Sequence, residues 1–104
     1  MASSEEYRAY IAEQLSELDD IFFRPMMGEY IIYYQGRIVG GIYDNRFLVK
    51  PVLAARAMMP TAPYELPYEG AAKMLMVNEL DDKAFLKELL EAMYPELPAP
   101  KKKK

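Results

Sequence analysis

Along residues 21–50, apolar and aromatic positions come in runs of about five to eight residues, the usual strand range, cut by short polar or glycine-containing pairs. Gln35-Gly36 and Asp44-Asn45 are two of these cuts, and both pairs hold residues that tolerate positive φ, as two-residue hairpin turns require. The runs are rich in Ile, Tyr, Val and Phe, which suit a pleated, half-buried surface. The stretch predicts an antiparallel meander with strands over 21–27, 29–35, 37–43 and 47–50. Pro25 lacks the N–H that a central ladder needs, so the first strand is an edge or pairs irregularly there. Gly28 reads as a bulge or as a turn into the second strand. There Tyr30, Ile32 and Tyr34 share one face and Ile31 and Tyr33 the other. With both faces apolar, one packs under helices and the other calls for a second cover such as a partner chain. Gly40-Gly41 removes side chains from the third strand. Either a close helix crossing or a bulge uses that room, or the pair floors a shallow groove for a ligand or peptide.

Helical spacing replaces alternation on both sides of the meander. Over residues 3–18, Tyr7, Tyr10, Ile11, Leu15 and Leu18 fall on one face, and Ser3 with Glu6 fits a capping box. Residues 52–59 suit a two-turn helix that Pro60 and Pro63 stop. Residues 60–71 hold three prolines among Tyr64, Leu66 and Tyr68 and read as a structured loop. Apolar residues at 73–77 predict a last strand. A final helix over 82–94 takes Asp81 as N-cap, with Leu80 and Phe85 as a hydrophobic staple and Phe85, Leu86, Leu89, Leu90 and Met93 as its apolar stripe. The predicted fold is α+β: an antiparallel sheet, meander 21–50 plus strand 73–77, covered by the N- and C-terminal helices. Residues 1–95 form the domain, and 96–104 read as a disordered Pro/Lys tail in which Lys101–Lys104 is a solubilising charge run.

Composition narrows the chemistry. The 104 residues contain no cysteine and no histidine, which removes disulfides, thiolate metal sites and the commonest general base. No cofactor or metal is expected. The acidic N-terminus is unlike a secretory signal and no apolar run spans a bilayer, so the expected location is cytoplasmic, with no membrane partner. Residues 1–20 carry one cation against six carboxylates, residues 21–78 six against four, and residues 79–100 two against six. An acidic body does not attract a phosphate backbone, which argues against direct nucleic-acid binding by the ordered domain. Within that body, the sheet segment alone is net basic. For acid–base work only carboxylates, lysines and tyrosines are available. Glu29, Glu69, Tyr64, Tyr68 and Lys73 would cluster if the 60–73 loop folds across the sheet, but none stands at a diagnostic spacing, and catalysis there would need strong pKa shifts.

The order helix, four-stranded meander, short helix, loop, strand, helix resembles the N-terminal domain of the TfoX/Sxy family of bacterial competence regulators. The residues that carry the resemblance are Arg24-Pro-Met26-Met-Gly28, Tyr33-Tyr-Gln-Gly36-Arg-Ile-Val-Gly40-Gly-Ile42-Tyr-Asp44, Phe47-Leu-Val-Lys50, Pro67-Tyr68-Glu69-Gly70 and Lys73-Met74. It covers most of residues 5–94. Met27 departs from the phenylalanine common in the family's Arg-x-Met-Phe-Gly, and longer members add a second, helical domain. The resemblance implies a small, non-enzymatic regulatory module that affects transcription through a protein partner. Arg24, Lys73, Tyr68, Glu69 and Tyr33 are the candidate partner- or anion-binding residues. Gly28, Gly36, Gly40 and Gly70 read as structural turns or close-packing positions. Arg24 and Lys73 either close salt bridges with Glu29 or Glu69, or bind an anion or an acidic partner. The competing readings are a structural homodimer that pairs through its sheet face or edge, a small-anion or ligand-binding domain, and an enzyme using Glu69, Tyr68 and Lys73.

Overall fold

Three two-residue turns divide residues 21–49 into four strands. In each turn both central residues take positive φ: Met27 (52°) and Gly28 (87°), Gln35 (50°) and Gly36 (83°), Asp44 (55°) and Asn45 (56°). Such turns match the right-handed twist of the strands they join. The computed structural model describes residues 3–98, in which the turns delimit β1 (Ile21–Met26), β2 (Glu29–Tyr34), β3 (Arg37–Ile42) and β4 (Phe47–Val49). There follow α2 (Leu53–Met58), β5 (Tyr64–Glu65) and β6 (Met74–Met76), and α1 (Glu5–Gln14) and α3 (Lys83–Met93) stand at the two ends. The strands form one antiparallel sheet in the order β1-β2-β3-β4-β6-β5. The α+β class predicted from the pattern is the observed one.

The register explains Pro25. The Met27-Gly28 turn is closed by the pair Met26↔Glu29, so Arg24↔Ile31 is the next pair to exchange hydrogen bonds and Pro25↔Tyr30 is not. The missing N–H of Pro25 therefore faces outward from an edge strand, costs the ladder nothing, and blunts that edge against further pairing. In β3 the register slips. Ile32 pairs with Gly40 but Tyr33 with Ile38, which leaves Val39 as the extra residue of a bulge. Val39 is fully buried, and its carbonyl accepts the Lys50 N–H at 3.0 Å. Gly40 is thus no turn residue: it lies in the strand beside the bulge, where a Cβ would collide with the Leu48 carbonyl oxygen and the Val49 Cα of β4.

All three helices cover one face of the sheet. Ile11, Leu15 and Leu18, Ala55, and Leu86, Leu89, Leu90 and Met93 pack with Ile32, Tyr34, Val39, Ile42, Phe47, Val49, Leu75 and Val77 in one core. Tyr10, expected on the buried stripe, is 40% exposed: it stands about 100° round the helix from the buried Ile11, while Leu15 and Leu18 reach the core from the turn that follows α1. The N-cap is Ser4, whose hydroxyl accepts from the Tyr7 N–H at 3.0 Å. Ser3, assigned to that role by spacing, is instead a tie: its hydroxyl donates to Glu29 and accepts the Asn45 N–H, while Glu29 also takes the Asp44 N–H. Ser3 is thereby pinned to the tips of two hairpins.

At the start of α3 the cap is Asp82, not Asp81, with its carboxylate accepting the Phe85 N–H at 3.0 Å. That one-residue shift takes Leu80 and Phe85 out of staple positions, though both still pack against the core. Asp82→Ala should lower stability by about 1 kcal/mol. An unchanged denaturant midpoint would show that water caps the helix as well. The fold also runs past Pro95. A 3₁₀ turn, Tyr94–Glu96, leads to a buried Leu97, and the Arg37 guanidinium donates to the Tyr94 and Leu97 carbonyls and lies 4.5 Å from the Tyr94 ring centroid. The expected tail from 96 thus begins with core-packed chain. Its remainder, including Lys101–Lys104, lies outside the described residues.

Candidate functional site

Alternation along the strands gives the sheet a second face, away from the helices. It carries Phe22, Arg24 and Met26 from β1, Ile31 and Tyr33 from β2, Ile38 and Gly41 from β3, and then Tyr43, Leu48 and Lys50. Its two halves differ. Over β4 and β6 the face is roofed by the segment after β5: Tyr68 lies across Tyr43 with ring centroids 6.1 Å apart, Pro67 is buried, and Tyr43 and Leu48 are 7% and 0% exposed. At β3 the Tyr43 ring closes over Gly41, and over β1 and β2 nothing among the described residues covers the face. Phe22 is 58% exposed and tilts against Tyr33 at 6.0 Å, with Ile31 and Ile38 half-buried beside them.

The roof is held by a residue that spacing did not single out. Arg46 donates to the Glu65 carboxylate at 3.3 Å, to the Leu66 carbonyl at 3.1 Å and to the Tyr43 carbonyl at 3.0 Å. A guanidinium has the forked donors for three such acceptors. The signal was weak, since Arg46 is one charge beside a turn. The bridges considered for Arg24 and Lys73 do not form. Among the described residues the ion pairs are Arg46–Glu65, Lys83–Glu13 and Lys87–Glu91, and Glu29 is committed to Ser3 and Asp44. Arg24 is exposed and donates to the Tyr33 hydroxyl at 3.4 Å.

Arg24 and Lys73 do not share one spot. Four strand steps of about 4.8 Å separate β1 from β6, or about 19 Å, so they mark opposite margins of the face. Tyr33 belongs with Arg24. Lys73 and Tyr68 belong together, lining a cleft of about 220 Å³ with Ile38, Tyr43 and Lys50. Glu69 is exposed and is not on that wall, and Gly70, with φ of 89° and open space around it, turns the roof. Of the five groups weighed for catalysis, the loop brings only Tyr68 and Lys73 to the cleft. Tyr64 pairs with Leu75 on the far edge of the sheet. Tyr43, missed because it read as an ordinary strand tyrosine, joins them. Burial first, then the neighbouring Tyr68 and Glu29, raises its pKa, so it remains a neutral phenol. No group of three or more His, Cys, Asp or Glu fit to hold a metal occurs among the described residues. No helix among them is long and apolar enough to cross a membrane.

A protein of Spirochaeta aurantia, described as an uncharacterized 12.7 kDa protein in the trpE 5' region, is 31% identical over 105 residues, spanning 100% of this chain and 91% of that protein. No family model matches the chain, and no solved structure matches it.

Proposed function

The chain belongs to the family of the Spirochaeta aurantia 12.7 kDa protein, and we propose that it is a small non-enzymatic interaction module whose uncovered sheet face docks an acidic segment of a partner protein. One observation carries this reading. Every helix among the described residues lies on one side of the sheet, and the β1–β2 half of the other side presents Phe22, Ile31 and Tyr33, with Ile38 beside them and Arg24, which forms no ion pair among the described residues, at its margin. Apolar anchors flanked by a cation fit a segment of mixed apolar and acidic residues, and charge of that kind sets orientation and partner choice. The likeness of the Arg24–Asp44 stretch to TfoX/Sxy N-terminal domains supports a regulatory role for the contact. A second copy is a poorer occupant: face-to-face pairing repeats the same cations, and Pro25 blunts the β1 edge.

A photoreactive amino acid at position 22 of the full chain, illuminated in cells, tests this. The expected product is a discrete adduct whose cross-linked peptide is rich in Asp and Glu, lost on Arg24→Glu while the melting temperature stays within a few degrees, as for surface substitutions. The same probe at Leu53, 66% exposed on the helix side, should give none. An adduct with a second copy, an equal yield at Leu53, or no adduct would overturn the proposal.

A further inference from the structure

The roofed half of the face holds a feature that the docking surface meets only at Ile38. Between the sheet and the segment 67–73 lies the cleft of about 220 Å³, and two lysines, Lys50 and Lys73, stand on its wall. No Asp or Glu lines it, and neither lysine forms an ion pair among the described residues. Two cations at one concavity with no carboxylate in its lining make the local potential positive, which favours an anion there. Lys50 is fixed by its place in the fold: Val49 points into the core, so the next residue points to the cleft, and its backbone N–H is held by the Val39 carbonyl at the bulge. Tyr43 and Tyr68 add a tilted aromatic wall at 6.1 Å. Gly40 contributes backbone to the lining. The volume falls below the ~300–1,000 Å³ of drug-sized ligand pockets, so the occupant is small.

We infer that this cleft binds a compact phosphomonoester, with Lys50 and Lys73 on the phosphate and the Tyr43–Tyr68 wall against a body of about one ring. Lysine is a point charge suited to a compact dianion, where a flat bidentate carboxylate would favour arginine. The tyrosine faces suit a planar or apolar body, which inorganic phosphate lacks. The inference does not depend on the docking reading: the two surfaces meet at Ile38, while Arg24 and Phe22 lie on the other half of the face.

Amide shifts of the full chain titrated with phenyl phosphate, and separately with inorganic phosphate, decide it. Phenyl phosphate should move the amides of Ile38, Gly40, Lys50, Tyr68 and Lys73 together, saturably and less at high salt, and should bind more tightly than inorganic phosphate. Lys50→Met and Lys73→Met should each weaken binding by about tenfold, the scale of a lost hydrogen bond to a charged group, with the remaining spectrum intact. Arg24→Glu should leave the affinity unchanged. Shifts confined to the 101–104 lysines, shifts insensitive to both lysine variants, equal affinity for the two probes, or loss of binding in Arg24→Glu would each overturn the site.

Discussion

Leu89→Ala is expected to destabilise the domain by roughly 2–5 kcal/mol, the range for deleting a fully buried leucine side chain. Leu89 is 0% exposed at the centre of the α3 stripe, between Leu86 and Met93, which are equally buried. The loss has two parts, the transfer of the removed atoms and the void left behind. The void should be hard to close. Helix α3 is pinned at its start by the Asp82 cap and at its end by Tyr94 and Leu97, which Arg37 holds to the sheet. The helix therefore cannot settle inward freely, which places the expected value in the upper half of the range. Denaturant unfolding with an unchanged m-value would measure it. A change near zero would show that the stripe does not close the core.

The fold was legible where the sequence carries periodicity. Alternation in β2, turn pairs at 35–36 and 44–45, and the α3 stripe each specify local geometry without help from distant chain. Single-residue details were less legible because neighbouring candidates are chemically alike. Ser3 and Ser4, or Asp81 and Asp82, differ only in which one the helix start selects, and tertiary ties decide that: Ser3 is taken by Glu29 and Asn45. Strand β5 was hidden because two residues between Pro63 and Pro67 carry no pattern, and only pairing with β6 makes them a strand. The candidate site shows the same division. That the second face of β2 is apolar follows from Ile31 and Tyr33 alone. That Lys50 and Lys73 line one cleft depends on how the segment after β5 returns over the sheet, a long-range fact set by Arg46, Glu65 and Tyr43 together. The Gly40-Gly41 pair lies between these cases. A bulge was one of the readings open to it, but only the slipped register shows which backbone approaches Gly40.

Gly40→Ala is expected to cost at least about 1–3 kcal/mol, the usual range for overpacking, and to exceed the cost of Gly70→Ala in the same protein. The two glycines separate two kinds of constraint. At Gly70 the demand is conformational: φ is 89° with nothing within 4 Å of an added Cβ, so alanine there carries only the left-handed penalty of about 1–2 kcal/mol. At Gly40 the demand is steric: the Cβ would meet the Leu48 carbonyl oxygen and, at 2.7 Å, the Val49 Cα. Both are backbone atoms of β4, so no rotamer change relieves the clash. Relief requires β3 and β4 to separate at the bulge, which strains the Gly40↔Val49 and Gly41↔Leu48 pairs and the Val39–Lys50 hydrogen bond. Amide exchange should report that, with faster exchange at Lys50 and the β4 amides in Gly40→Ala and native protection there in Gly70→Ala. The same displacement moves Lys50 away from Ile38 and Gly40 on the β3 side of the cleft, so phenyl phosphate affinity should fall in the first variant and hold in the second. Equal stability and equal exchange in the two variants would mean that the strands accommodate a methyl group at the bulge, and that the close approach of β3 to β4 does not shape the cleft.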